Sequence, residues 1–290
     1  MQEKTAILGP GLLGGSLALA LYGKQKTVSV WGRRQAPLDV LSRECPDLQL
    51  DTSLKAVVAD ATLIVLATPI GVMPEMIRQI LAANNTAEGA IITDVGSVKG
   101  PLVRVADAIL ASSQLQFVGS HPMAGSEASG VEAARADLFE GAMCILTPTS
   151  QTKSMALKHV HSFWQALGCR LQQLDLDVHD QVVAHVSHVP HLLASLVVDC
   201  ALTTDPSWAG FAGGGLRDTT RIASGEPGMW AEILMENRTA VLDVLQQGRD
   251  RLSTLMDLLK TREKADLYKF LLETKELRDT HIVPREKQGN

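Results

Sequence analysis

The sequence predicts an α/β protein in two parts, a doubly wound parallel sheet over residues 1–173 followed by an all-helical region over residues 174–290. Three observations predict this. Short apolar runs alternate with alanine-rich or amphipathic segments through the first half, the pattern of a parallel sheet covered on both faces. The first of those runs ends in a glycine-rich turn. After about Asp175 the strand-like runs stop, and apolar residues recur at helical spacing.

Taken in order, Lys4–Leu8 is a short apolar run ending at a glycine, hence a strand, and residues 12–22 are apolar and alanine-rich, hence a buried helix. Thr27–Trp31 gives a second strand, and residues 61–67 (ATLIVLA) a buried one that ends at Thr68-Pro69. Met73–Ala83 has helical periodicity, residues 90–95 form a strand, and residues 102–110 return to helix. Residues 117–120 and 143–146 are short strands. Residues 178–202 then carry a long apolar stripe with four histidines, His179, His185, His188 and His191. From Ala231 onward Leu242, Leu245, Leu252, Leu255 and Leu259 fall near heptad spacing. Such a stripe suits either core packing or the seam of a dimer. From Thr280 the chain reads as a loose tail.

Composition narrows the class of partner. With 27 Lys and Arg against 32 Asp and Glu, the net charge of −5 gives no basic field for nucleic acid or anionic lipid. A small-molecule partner is predicted, and an anionic one needs local basic residues. The four cysteines, Cys45, Cys144, Cys169 and Cys200, have no metal-binding spacing, so reduced thiols and no metal are expected. A strand opening at Lys4 leaves no room for a signal peptide, and no apolar stretch reads as long enough to span a bilayer. The expectation is a cytoplasmic protein.

The glycine-rich turn, Gly9-Pro10-Gly11-Leu12-Leu13-Gly14, fits G-x-G-x-x-G. The expression is short, but here a strand precedes it and a helix follows, the context of a Rossmann-type dinucleotide site. The first glycine permits the tight turn, the second lets backbone approach a pyrophosphate, and the third lets helix and strand pack closely. The helix N-terminus beyond, at Leu12 and Leu13, offers unpaired N–H groups to the anion. The bland alternative is a strand–turn–helix with no ligand. At the end of the second strand, where an acid would read an NAD ribose, stands Gly32-Arg33-Arg34. Guanidinium groups suit a 2′-phosphate, so NADP is favoured over NAD. Thr68 and Pro69, at the end of a neighbouring strand, complete the predicted cofactor edge.

Three further blocks follow strands or open the helical half: residues 94–100 (DVGSVKG), residues 119–127 (GSHPMAGSE) and residues 213–223 (GGGLRDTTRIA), the last followed by Trp230. Ligands of open α/β sheets bind beyond the carboxyl ends of strands, which is where the first two lie. With the opening glycines, His179-Asp180, His188 and His191, these blocks closely resemble the prephenate/arogenate dehydrogenase family over residues 4–240. The resemblance implies NAD(P)-dependent oxidative decarboxylation of a cyclohexadienyl substrate in tyrosine biosynthesis, and a Rossmann domain joined to a helical dimerisation domain, hence a homodimer. It implies His121 as the base that accepts the substrate hydroxyl proton. Ser97 becomes a residue that hydrogen-bonds both that histidine and the substrate, and touches cofactor. Arg221 binds the ring carboxylate, and Ser126, Glu127, His188, His191 and Trp230 line the pocket. A neutral imidazole is suited to the proton transfer, and a guanidinium–carboxylate pair to orientation.

Two other readings are weighed on residues. A β-hydroxyacid dehydrogenase of the same two-part plan needs a lysine in its helical half, and residues 178–230 contain none. A nicotinamide-sensing regulator accounts for the glycine loop but leaves His121, Ser97 and Arg221 without a purpose. Three helix histidines, His185, His188 and His191, suggest a metal in principle, but no carboxylate or cysteine completes a set. His185 reads as structural.

Overall fold

The apolar runs predicted as strands all enter one eight-stranded sheet in the computed structural model, which describes residues 3–125 and 128–282. The chain runs β1 (Lys4–Leu8), α1 (Leu12–Gly23), β2 (Thr27–Trp31), α2 (Gln35–Glu44), β3 (Gln49–Asp51), α3 (Leu54–Val58) and β4 (Leu63–Leu66). It continues through α4 (Met73–Ala83), β5 (Ile91–Asp94), α5 (Gly100–Leu110), β6 (Gln116–Pro122), β7 (Met143–Thr147), α6 (Ser154–Ala166) and β8 (Arg170–Gln173). The strand order is β3-β2-β1-β4-β5-β6-β7-β8. The first six are parallel, β7 pairs antiparallel with β6, and β8 runs with β7. A parallel neighbour needs a crossover element, and residues 123–142 supply only loop and one short turn among those described, so β7 returns antiparallel.

Side chains alternate across the sheet. Ile7, Val30 and Val65 pack on one face with Leu17 of α1, Leu38 of α2 and Trp164 of α6. Ala6, Leu8, Ile64 and Leu66 pack on the other with Val57 of α3, Met73 and Ile77 of α4, and Leu102 of α5. Each fully buried Leu or Ile contributes roughly 1.5–3 kcal/mol, so strands wet on neither face read as unbroken apolar runs. The elements absent from the sequence reading are those with weaker signals. β3 (QLD) and β8 (RLQQ) are polar edge strands. In α6 the buried residues are Ala156, Val160 and Trp164, four residues apart, with Leu157 and Phe163 packed beside them.

The helical half comprises α7 (Leu176–Val183), α8 (Val189–Leu202), α9 (Gly214–Thr220), α10 (Pro227–Glu236), α11 (Arg238–Thr261) and α12 (Lys264–His281). The helix α12 extends to His281, past the point where a tail was expected. Two compact units are distinguished, residues 1–241 and 242–290; the second holds most of α11 and all of α12, with Arg262 between them at φ 57°.

α7 and α8 form one continuous helix, Leu176–Leu202, through a π-helical turn at Ala184–His188. Pro190, lacking an N–H, follows that widened turn. At 27 residues this helix is long and apolar enough to cross a membrane by length and composition, which corrects the expectation that no stretch reaches that length. Its buried side carries polar groups, His179, Asp180, His188 and His191, while Val186, Leu193, Leu196 and Val197 are exposed.

Candidate active site

The carboxyl ends of β1, β4, β5 and β6 meet at the reversal of strand order between β1 and β4, where open α/β sheets take ligands. The glycines of the β1–α1 turn are there for steric reasons. Gly9 has φ 116°, and a Cβ on it would lie 2.5 Å from the Ala67 carbonyl oxygen. A Cβ on Gly14 would lie 1.9 Å from the Gly9 oxygen, so only glycine lets α1 dock this closely on the turn. Gly11 instead faces open space. No side chain caps the N-terminus of α1, where Leu12 and Leu13 follow Gly11, so its first N–H groups are available to an anion.

The rest of the edge is consistent. Thr68 packs its methyl group beside Gly9, with Pro69 next to it. Gly32 tucks against Pro10 and Leu38, which leaves Arg33 and Arg34 exposed at the end of β2. An open cradle at Gly11, an uncapped helix end and two exposed arginines fit a dinucleotide.

The histidine that the sequence reading takes as the base lies beyond β5, on the next strand. His121, at the end of β6 and 6% exposed, contacts His179 of α7, Nδ1 to Nε2, at 2.9 Å. His179 Nδ1 in turn meets Asp180 Oδ1 at 2.8 Å. The Asp180 carboxylate also accepts the backbone N–H groups of Lys99 at 2.9 Å and Gly100 at 2.8 Å. A carboxylate in this position can only accept, so His179 donates from Nδ1 and its Nε2 must accept from His121 Nδ1. The chain of bonds therefore leaves the His121 lone pair on Nε2.

Electrostatics keep that lone pair available. Burial, then the neighbouring His179, Lys99 and His188, hold the His121 pKa well below the ordinary imidazole value. Burial also lowers His179, although Asp180 opposes it. For Asp180 burial alone acts upward, but the hydrogen bonds from His179, Lys99 and Gly100 outweigh it and bring the carboxyl below its usual value. Lys99 itself is fully buried, paired with Asp94 and bonded to the Ser120 carbonyl oxygen at 2.9 Å. Asp94 further accepts the N–H groups of Gly96 and Ser120.

A second group of predicted residues gathers on α8. His188 is 1% exposed and His191 6%. The His191 ring stacks on Trp230 of α10 with centroids 3.6 Å apart, and Trp230 meets His188 edge-on at 6.3 Å. The turn Arg221–Ser224 packs on α8 beside His191, so Arg221 enters the same neighbourhood from an exposed position. His188 Nε2 and His191 Nδ1 are buried with no hydrogen-bond partner among the described residues. Orphaned polar atoms are costly in a core, and these two are available to a polar ligand. His185 is exposed and bonds the Gln181 carbonyl oxygen, as a structural residue would.

Ser97 sits half-buried in the loop after β5, but it makes no hydrogen bond to His121, whose Nδ1 is taken by His179. Ser126 and Glu127 lie outside the described residues. No metal-binding cluster occurs among the described residues. Sequence reasoning gave no role to Lys99, Asp94, His179, Asp180 or Asn237, whose partners lie up to 81 residues away. An adjacent His-Asp pair, and an aspartate at the end of a buried strand with a lysine five residues on, were the available signals.

Residues 17–173 match the prephenate dehydrogenase nucleotide-binding domain, and residues 175–273 the prephenate dehydrogenase dimerization domain. A prephenate dehydrogenase of Bacillus subtilis is 33% identical over 290 residues, covering 96% of this chain and 76% of that protein. A crystal structure of prephenate dehydrogenase from Aquifex aeolicus, in complex with hydroxyphenyl propionate and NAD+, superimposes with a TM-score of 0.85 at 30% identity, covering 96% and 98% of the two chains. The Synechocystis arogenate dehydrogenase structure gives 0.81 at 28% identity, covering 96% and 99%. With both halves of the chain matched and the glycine turn, His121 and the α8 histidines arranged as described, this protein belongs to the prephenate dehydrogenase family.

Proposed function

We propose that the protein oxidatively decarboxylates prephenate, arogenate or both, with NADP favoured over NAD, and that the observation carrying this reading is the hydrogen-bonded chain Asp180–His179–His121. The Gly9–Gly14 turn would hold the pyrophosphate of a nicotinamide dinucleotide, whose ring would supply the hydride acceptor. The substrate hydroxyl must lose its proton as hydride leaves the same carbon, and His121 Nε2 takes it. His179 and Asp180 stabilise the imidazolium that forms, the logic of an acid-oriented histidine base. Loss of CO2 aromatises the ring, so the carboxylate needs orientation rather than tight holding. Arg221 takes that task, with Ser97 on the hydroxyl side and Ser126, Glu127, His191 and Trp230 around the substrate. The substrate-binding domain is taken to begin at residue 174.

One assay tests the reading: absorbance at 340 nm with each of prephenate and arogenate, and each of NADP and NAD. Turnover with at least one pair is expected, with the higher kcat/KM for NADP. In the same assay Arg221→Ala raises KM by about tenfold or more, since losing the partner of a charge buried on binding costs ~2–5 kcal/mol. No turnover with any pair refutes the function, a higher kcat/KM with NAD refutes the cofactor preference, and a KM within about twofold of wild type refutes the role of Arg221.

The exposed apolar face of α8 at Leu193, Leu196 and Val197, together with Phe211 at 88% exposure, suits a second copy of the chain. A homodimer through the helical half sediments at about twice 31.2 kDa, and Leu193→Glu with Leu196→Glu shifts it to monomer. A wild-type protein that sediments as a monomer at micromolar concentration excludes the dimer.

A further inference from the structure

Asn237, at the end of α10 and 5% exposed, is a buried amide that no step above uses. Its Nδ2 lies 2.8 Å from the backbone carbonyl oxygen of Asp180 and 3.0 Å from His188 Nδ1. A carbonyl oxygen only accepts, so the amide nitrogen, not the amide oxygen, must face it. An amide nitrogen carries two hydrogens and does not accept. The second hydrogen therefore points at His188 Nδ1, which must hold a lone pair, and the ring proton must sit on Nε2. That Nε2 is buried and has no hydrogen-bond partner among the described residues.

We propose that Asn237 is a positioning residue that locks His188 as a neutral Nε2–H donor facing the substrate pocket, where it meets an acceptor oxygen of the substrate. The substrate part of this inference rests on the cyclohexadienyl reading above, and the tautomer part does not. The location follows from the neighbours: Trp230 lies edge-on to the His188 ring, and His121 and His179 are close enough to interact electrostatically. Burial pushes the His188 pKa down to about 4, which agrees with a ring that stays neutral.

Asp180 then serves both histidines. Its carboxylate, through His179, directs the lone pair of His121 toward the reacting hydroxyl. Its backbone carbonyl, through Asn237, directs the proton of His188 the opposite way, outward as a donor. One residue of α7 thus makes one imidazole an acceptor and the other a donor, although both are neutral. The π-helical turn Ala184–His188 lies between Asp180 and His188, and across it the Asn237 side chain reaches both the Asp180 carbonyl oxygen and the His188 ring.

The test uses the full chain labelled with 15N-histidine. In wild type, the His188 resonances show Nε2 protonated and Nδ1 unprotonated from pH 8 to pH 6. Asn237→Leu, close in volume but without donors, is expected to yield a mixture of tautomers and to raise KM for prephenate or arogenate about tenfold while kcat changes less than threefold. His188→Gln keeps a donor near the Nε2 position and retains more substrate affinity than His188→Leu. Adding Asn237→Leu to His188→Gln costs less than it does in wild type. Protonation of wild-type His188 at Nδ1, or a tautomer and KM indifferent to Asn237→Leu, overturns the proposal. Should Asn237→Leu fail to fold, the wild-type tautomer and the Gln–Leu comparison decide. A protein with the expected tautomer but no turnover of either substrate instead refutes the functional reading, so the two failures are distinct.

Discussion

His121→Asn lowers kcat by about 10²–10⁴-fold, the usual contribution of a positioned general base, while leaving nicotinamide binding at the Gly9–Gly14 turn within about twofold. Single-turnover kinetics together with a cofactor titration check both halves. A kcat within tenfold of wild type would remove His121 from the chemistry. His179→Leu is expected to cost roughly 10–100-fold, because it takes the acceptor from His121 Nδ1 and frees the ring to adopt the wrong tautomer. Since burial and the neighbouring His179, Lys99 and His188 hold His121 well below 6.5, the acid limb of kcat/KM should fall at a pH below 6.5.

The same shifts bear on stability. His121, His179 and His188 all have lowered pKa values in the folded chain, so the unfolded chain binds more protons as pH drops. Their contribution is fully present above about pH 6.5 and is lost as pH falls through the folded values. For His188, with a folded value of about 4, the loss amounts to about 3 kcal/mol.

Lys99→Met is the second large effect. The Lys99–Asp94 pair is fully buried on both sides, and removing the lysine leaves a carboxylate uncompensated beneath the site. Such losses cost about 3–5 kcal/mol, or a fall of roughly 6–20 °C in Tm for a protein of this size. Lys99→Met with Asp94→Asn should recover more than half of that, since neither charge of the pair remains and the introduced amide oxygen still accepts one of the two backbone N–H groups that Asp94 holds. Thermal denaturation of the three proteins decides the matter. A fall of less than 2 °C for the single variant would show that the pair is dispensable. Lys99 also helps to keep His121 neutral, so the double variant, if folded, should move the acid limb of the pH profile upward.

The contrast between the Gly9 turn and Asn237 shows what could be read from the sequence. β1, β2 and α4 have the predicted bounds because they rest on local properties: unbroken apolar runs, glycines demanded by one turn, helical periodicity. The Gly9, Gly11 and Gly14 roles are local in the same sense, since φ 116° and the Gly14–Gly9 approach arise within a single turn. His121, Arg221, His188 and His191 were legible through blocks with recognisable order, which reported residue types but not partners. β8 and α6 were missed because a polar edge strand and a narrow stripe carry little hydrophobic signal.

What only the tertiary structure decided is the protonation chemistry. Ser97 is the expected partner of His121, whereas the group opposite His121 Nδ1 in the structure is His179, 58 residues away. Asp180 reaches back 81 residues to the Lys99 amide, and Asn237 reaches 49 residues to His188. Which nitrogen of a histidine bears its proton depends on the group opposite the other nitrogen, and that group is chosen by packing rather than by local sequence. The glycines, arginines and histidines of this chain were therefore determined as candidates by sequence alone. Which partner each histidine nitrogen faces was decided by residues of α7 and by Asn237 at the end of α10.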